Sequence, residues 1–187
     1  MINFVQCARY LSSFNLIKLT TQVIENTFTT TVTDSKVDYD FDQLFKWRSL
    51  DNGFEEAKRT KKPVFLLIYK TGCPACEKMK EKFSKSVRLM DLSDRFVMIK
   101  AEKGKNKALN EKKFEPDGTY VPRILFFTSD GRFIVESYNR HADAEKEHKY
   151  FYVQPSQIVE SMLFVLKEYG NEPMPVMFEP ERSHLDY

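Results

Sequence analysis

The sequence predicts an α/β fold, a central mixed β-sheet flanked by helices, and three observations predict it. The run Pro63-Val64-Phe65-Leu66-Leu67-Ile68-Tyr69 is almost unbroken in its apolar character and partly β-branched, which suits a strand buried on both faces. Directly after it, Ala75, Met79, Phe83 and Val87 recur every fourth residue while Glu77, Lys78, Lys80, Glu81 and Lys82 fill the other faces, as in an amphipathic helix. Further apolar runs at 96–99 and 120–127 follow after polar breaks, so strands and helices interleave along the chain.

Taken in order, residues 1–36 read as a poorly structured leader and linker. Arg9 interrupts any signal-peptide core, and Gln6, Ser12, Ser13, Asn15 and Lys18 dilute it further. The absence of any acid before Glu25 leaves a mitochondrial presequence open alongside a secretory signal. Residues 25–36 are threonine-rich and lack a sustained period, so the folded domain is expected over 37–170. Phe41, Leu44 and Phe45 stand at helical spacing, and Trp47 is the single tryptophan. Asp51-Asn52-Gly53 carries turn chemistry ahead of a helix with Phe54 and Ala57, closed by Pro63.

Beyond the 63–69 strand and the helix that follows, Leu89 to Phe96 reads as a break at Asp91, Ser93 and Asp94. A second strand, parallel to the first, is expected over 96–99. The lysine-rich stretch 103–113 reads as a solvated loop or frayed helix, with a basic patch that steers acidic substrates as the sharper alternative. Pro116-Asp117-Gly118 marks a turn, and the third apolar run begins with Pro122 near its entrance. Asp130-Gly131 is a hairpin signal that predicts 132–138 as an antiparallel partner. Ile158, Met162, Val165, Leu166 and Tyr169 give a last helix over 155–169, stopped by Gly170, and 171–187 reads as a flexible tail.

Composition bounds the function. A chain of 187 residues with 42% hydrophobic content can build one core, and a net charge of +2 gives no case for nucleic acid or an anionic membrane surface. No apolar run approaches the roughly 18 to 20 residues that span a bilayer, which predicts a soluble protein, expected as a monomer. Three cysteines do not make a disulfide framework; Cys7 lies far from the other two.

Those two, Cys73 and Cys76, form a C-x-x-C at the junction between strand and helix. Free amides and the positive end of the helix dipole there favour a thiolate, with Cys73 at the mouth and Cys76 one turn inward. Pro74 suits the first helical position and stiffens the dithiol. Lys70, three residues before Cys73, is a candidate for added positive charge, or simply a solvated lysine. A closed zinc site wants four ligands, and His141, His148 and His184 do not supply the spacing, so no metal is expected. A client-binding module with incidental thiols stays as the alternative, since 14% aromatic content could serve peptide contacts.

A C-x-x-C at a strand-to-helix turn, followed by a proline ahead of the next sheet pair, resembles the thioredoxin family. Trp47-Arg48-Ser49-Leu50-Asp51-Asn52-Gly53, Lys70, Phe96-Val97-Met98, the block from Pro116-Asp117-Gly118 to Val121-Pro122-Arg123-Ile124, and Lys149-Tyr150-Phe151-Tyr152-Val153 narrow the resemblance. They are similar to the small endoplasmic-reticulum thioredoxin domain-containing oxidoreductases and to their anterior gradient relatives. The resemblance covers roughly Phe41 to Gly170. It implies a thioredoxin fold and a thiol–disulfide oxidoreductase that acts on protein disulfides, with no bound cofactor and with glutathione as redox partner. Cys73 matches the attacking cysteine and Cys76 the resolving one, which anterior gradient proteins often lack. Val121-Pro122 matches the substrate-facing segment whose proline is cis, and Arg123 reads as a structural or surface charge rather than a catalytic one.

Four departures stand out. Gly72 precedes Cys73 where thioredoxins carry Trp, and Pro74-Ala75 is neither the Gly-Pro of thioredoxin nor the Gly-His of disulfide isomerases. Leu67 stands where thioredoxins and isomerases bury an acid that assists the resolving thiol. The last residues, His184-Leu185-Asp186-Tyr187, form no Lys-Asp-Glu-Leu type signal. The resemblance implies the reticulum lumen, the missing signal counts against retention there, and secreted, cytosolic and mitochondrial locations are the alternatives.

Overall fold

The structure, a computed structural model, describes residues 41–173. The leader and linker, and the tail beyond 173, lie outside the described residues. Helix α1 (Phe41–Leu44) and helix α2 (Leu50–Thr60) precede strand β1 (Val64–Tyr69), which leads into α3 (Pro74–Phe83) and α4 (Val87–Ser93). Strand β2 (Val97–Glu102), short 3-10 turns at Lys107–Asn110 and Lys112–Phe114, strand β3 (Arg123–Phe127), a 3-10 turn at Val135–Ser137 and helix α5 (Pro155–Tyr169) complete the order.

The sheet is mixed, ordered β2-β1-β3. Strand β1 runs parallel to β2, with Val64 opposite Val97, and antiparallel to β3, with Ile68 opposite Arg123. Five of the six β1 residues are buried, and their alternation feeds two cores. Phe65 and Leu67 face Met79, Phe83, Leu89, Phe126, Met162 and Val165, whereas Val64, Leu66 and Ile68 face Leu50, Ala57, Ile99, Leu109 and Tyr150. A strand apolar on both faces is thus a strand with a layer on each side.

Helix α2 starts earlier than the turn chemistry suggested. Asp51, Asn52 and Gly53 lie inside its first turn, because Ser49 supplies the N-terminal boundary and its carbonyl accepts from Gly53 N at 2.9 Å. Gly53 is needed for packing: a Cβ there would stand 2.4 Å from Ile99 Cδ1, so the helix lies almost on strand β2.

Four other expectations are corrected. Helix α3 ends at Phe83 rather than running through Val87, which is 66% exposed at the start of α4. Its core face is Cys76, Met79 and Phe83, and Ala75 is exposed. The stretch read as a break is α4, nucleated by Ser86, whose hydroxyl accepts from Leu89 N at 3.3 Å and whose buried faces are Leu89 and Leu92. The 132–138 hairpin strand is reduced to a single bridge between Phe127 and Phe133. After it Ile134 N donates to the Phe126 carbonyl and the chain turns away through the 3-10 turn. The lysine-rich stretch is ordered as two 3-10 turns because Leu109 and Phe114 anchor it in the core.

Strand β2 continues past Ile99 to Glu102, while β3 begins only at Arg123. Helix α5 has the expected bounds, with Pro155 in its first turn and the Gln157 side chain reaching back to the amides of Val153 and Gln154 at 2.8 and 3.0 Å. Among the described residues, no helix is long and apolar enough to cross a membrane.

Candidate active site

The site is built where β1 ends. Tyr69 hands the chain to Lys70-Thr71-Gly72, and neighbouring β2 fixes that turn from the side. Lys103 N donates to the Tyr69 carbonyl at 2.8 Å, and Thr71 N donates to Glu102 Oε1 at 3.2 Å. Lys105 and Thr71 together hold the Glu102 carboxyl down to about 2, well below the usual carboxylate range. Gly72 takes a φ of +75°, a left-handed turn that glycine accommodates without strain. This is the physical reason for glycine at the departure noted in the sequence.

Cys73 follows as the N-cap of α3, with Pro74 in the first turn, where its missing N–H costs no helical hydrogen bond. The Cys76 amide donates to Cys73 Sγ at 3.3 Å, and Glu77 N donates to the Cys73 carbonyl at 3.1 Å. The sulfur of Cys73 therefore occupies the capping position of a ten-residue helix, the end whose dipole attracts negative charge. Both cysteines are free thiols; Cys73 is part-exposed and Cys76 is fully buried. Burial, reinforced by the hydrogen bond with Cys73, pushes the Cys76 thiol well above its ordinary range.

Opposite Cys73 stands the segment before β3. The Val121–Pro122 peptide bond is cis, and the Cys73 thiol points at the Val121 carbonyl across 3.9 Å. Pro122 is buried and Val121 part-exposed, so the edge offered beside the thiol is backbone rather than side chain. The structure thus brings Cys73, Cys76, Pro74, Val121 and Pro122 together, and Lys70 joins them mainly through its carbonyl, which accepts from Cys73 N at 3.3 Å. The Lys70 side chain is exposed. Arg123 is neither at the surface nor beside the sulfurs: it is 1% exposed, folded behind the Val121–Pro122 segment.

Leu67 is wholly buried among apolar residues of the sheet's α3 side. Ionisation of Cys76 is favoured instead by a hydrogen bond with the Lys70 backbone and, more weakly, by the charge of Lys80 one helical turn further on. Sequence reasoning missed Lys80 and Glu102. The i,i+4 spacing from Cys76 could have found the first, and the alternation that continues through Ala101 could have found the second.

A family model described as thioredoxin-like matches residues 46–129, which include the C-x-x-C and the Val121–Pro122 segment. Over this stretch, a little under half of the chain, the protein is similar to that family. Among curated proteins, the domain is similar to the anterior gradient protein 2 homolog of Homo sapiens, at 27% identity over 85 residues that cover 46% of this chain and 46% of that protein. It is likewise similar to anterior gradient protein 3 of Xenopus tropicalis, 29% identical over 80 residues, covering 42% and 46% of the two chains. The match therefore spans about half the length of these curated relatives. Among solved structures, a thioredoxin from Thermus thermophilus aligns over 68% of this chain and 90% of its own, at 15% identity and a TM-score of 0.48. The mixed sheet with its flanking helices fits the thioredoxin-like match over these residues.

Proposed function

We propose that this chain is a thiol–disulfide oxidoreductase acting on protein disulfides. One observation carries the reading: the Cys73 sulfur caps α3, hydrogen bonded to the Cys76 amide, and faces the Val121 carbonyl. An extended substrate would lie along the backbone of Val121, with its disulfide beside Cys73. The Cys73 thiolate attacks one substrate sulfur, forms a mixed disulfide and releases the other sulfur as a thiolate, which takes up a proton. Cys76 then gives up its proton and attacks Cys73 Sγ. This closes the Cys73–Cys76 disulfide and releases the second substrate thiol. The substrate gains two electrons and the C-x-x-C loses two. Two glutathione molecules, oxidised together to glutathione disulfide, reset the pair. A location in the reticulum lumen belongs to the same reading and is checked by imaging a tagged protein that keeps its native N-terminus.

The test is insulin reduction in a glutathione buffer with wild type and Cys73→Ser. Turnover by the wild type and its loss in the variant are expected. Equal rates would sink the reading, as would a double cysteine-to-serine variant that still suppresses aggregation of an unfolded client while the wild type shows negligible turnover. That second outcome marks a client-binding module.

A further inference from the structure

We propose that Asp117, Tyr120 and Arg123 form a positioning unit that holds the Val121–Pro122 edge against Cys73 and so sets how tightly an extended substrate docks. The inference rests on the oxidoreductase reading above and adds residues to it.

Arg123 is the first residue of β3, and its backbone is paired with Ile68 of β1. Its side chain returns along the loop that precedes it. Nη1 donates to the Gly118 carbonyl, and the guanidinium carbon lies 5.3 Å from the centre of the Tyr120 ring. The Tyr120 hydroxyl donates to Asp117 Oδ2 at 2.7 Å and accepts from Tyr150 N at 3.1 Å. The same carboxylate oxygen accepts from Lys149 N at 2.7 Å, and Ile124 N returns a bond to the Tyr150 carbonyl at 3.0 Å. His148 stacks edge-on to Tyr120 with ring centres 4.3 Å apart. Residues 117 to 124 are thereby laced to the 148–150 segment on both sides of the docking edge.

Burying a guanidinium is costly, and an apolar side chain of similar volume would commonly hold a loop at least as stably. What this guanidinium adds is direction: Nη1 is committed to the Gly118 carbonyl and the flat group lies against the Tyr120 ring, while Nε is buried without a partner among the described residues, so a shifted loop would lose the donor bond that offsets its burial. The geometry selected here is that of the peptide next to Cys73. Asp117 and Tyr120 carry that constraint outward to a second segment of chain, and the hydrogen bonds of the three side chains described above go to the loop and to that segment. Their effect should therefore fall on substrate docking and leave the thiol chemistry alone.

The experiment uses the full chain. Tyr120→Phe keeps the ring against Arg123 and His148 and removes only the hydroxyl. Tyr150→Phe is the structural control, because the Tyr150 hydroxyl donates to the Val135 carbonyl at 3.0 Å, away from the loop. Steady-state kinetics on a disulfide-containing peptide, the alkylation rate of Cys73 by iodoacetamide and thermal unfolding are measured for each. Tyr120→Phe is expected to raise the peptide KM about fivefold, the size of one lost hydrogen bond, with kcat and alkylation little changed. Tyr150→Phe should lower stability without moving KM. The proposal is overturned if KM moves equally in both variants, if it moves in neither, or if alkylation falls in step with KM. Should Tyr120→Phe fail to fold, Asp117→Ala, which removes the acceptor shared by the Tyr120 hydroxyl and Lys149 N, takes its place with the same expectations. Wild type that turns over no disulfide overturns the oxidoreductase reading and this one with it; an active wild type with an unmoved KM overturns this one alone.

Discussion

Lys80 holds its ammonium 4.9 Å from the centre of the Tyr69 ring and 3.2 Å from Glu77 Oε1, one turn of α3 beyond Cys76. Its positive charge opposes the burial that keeps Cys76 protonated. Removing that charge in Lys80→Met raises an already raised thiol pKa, so less thiolate is present at any given pH. Resolution of the mixed disulfide should slow near neutrality by only about twofold, since one pKa unit is about a factor of ten and the Lys80 charge is the smallest of the influences on this thiol. Its pH–rate curve should move to higher pH, and Lys80→Arg should restore it. Acid quench followed by mass spectrometry of the mixed disulfide checks this, with unchanged curves counting against a role for Lys80.

The buried thiol also ties stability to pH. Below the ordinary cysteine pKa of about 8.5, Cys76 is protonated in both the folded and unfolded chain, and its contribution is fully present. Above that, the unfolded chain sheds the proton first while the folded one retains it. Stability of the reduced protein is therefore lost as pH rises toward the folded pKa. Melting temperature from about pH 8 to 10 should fall more steeply for reduced wild type than for Cys76→Ser, in a window below the ordinary tyrosine pKa of about 10. Parallel slopes would contradict the assignment.

Gly53→Ala decides between two opposed effects. Alanine gains about 1 kcal/mol in helix propensity, but its Cβ would meet both Ile99 Cδ1 and Cγ1 at 2.4 Å. Overpacking costs about 1–3 kcal/mol and should win. Urea denaturation should show net destabilisation, and a second substitution, Ile99→Val, should recover part of it. A Gly53→Ala protein more stable than wild type would show that α2 lifts off β2 at little cost.

Tyr152 places a fully buried hydroxyl 2.9 Å from the Ser137 carbonyl and 3.0 Å from Ser161 Oγ. Tyr152→Phe leaves those partners buried with one bond fewer, which costs about 1–3 kcal/mol. Because the residue joins α5 to the 3-10 turn and lies away from the thiols, insulin turnover should be retained while the unfolding midpoint drops.

Much of this was legible in the sequence. The β1 run, the helix after it and the last helix declare themselves by unbroken or periodic apolar residues, and the C-x-x-C is local by definition. The hairpin expected after Asp130-Gly131 rests on the strand composition of 132–138, yet past Ile134 the backbone bonds go to a turn rather than a ladder. Tertiary context overrode propensity there, as it did for Val87, whose fourfold spacing continued a helix that Ser84 and Ser86 had already ended and restarted. The lacing of Asp117 to Lys149 spans 32 residues of sequence and carries no period at all, so only the folded chain reveals it.

The rung that pairs Ile68 with Arg123 has a consequence for how this domain can be altered. Five positions lead from Ile68 forward to Cys73, and two lead back from Arg123 to Val121. The Cys73 thiol and the Val121 carbonyl thus hang from the same step of the ladder on short tethers of fixed length. Extra residues in the turn around Ser129 would lengthen a surface loop and leave that reach intact. A single residue inserted between Tyr69 and Cys73 would displace the sulfur from the Val121 carbonyl while the cores on both faces of the sheet stayed whole, so the fold would survive the loss of this one juxtaposition.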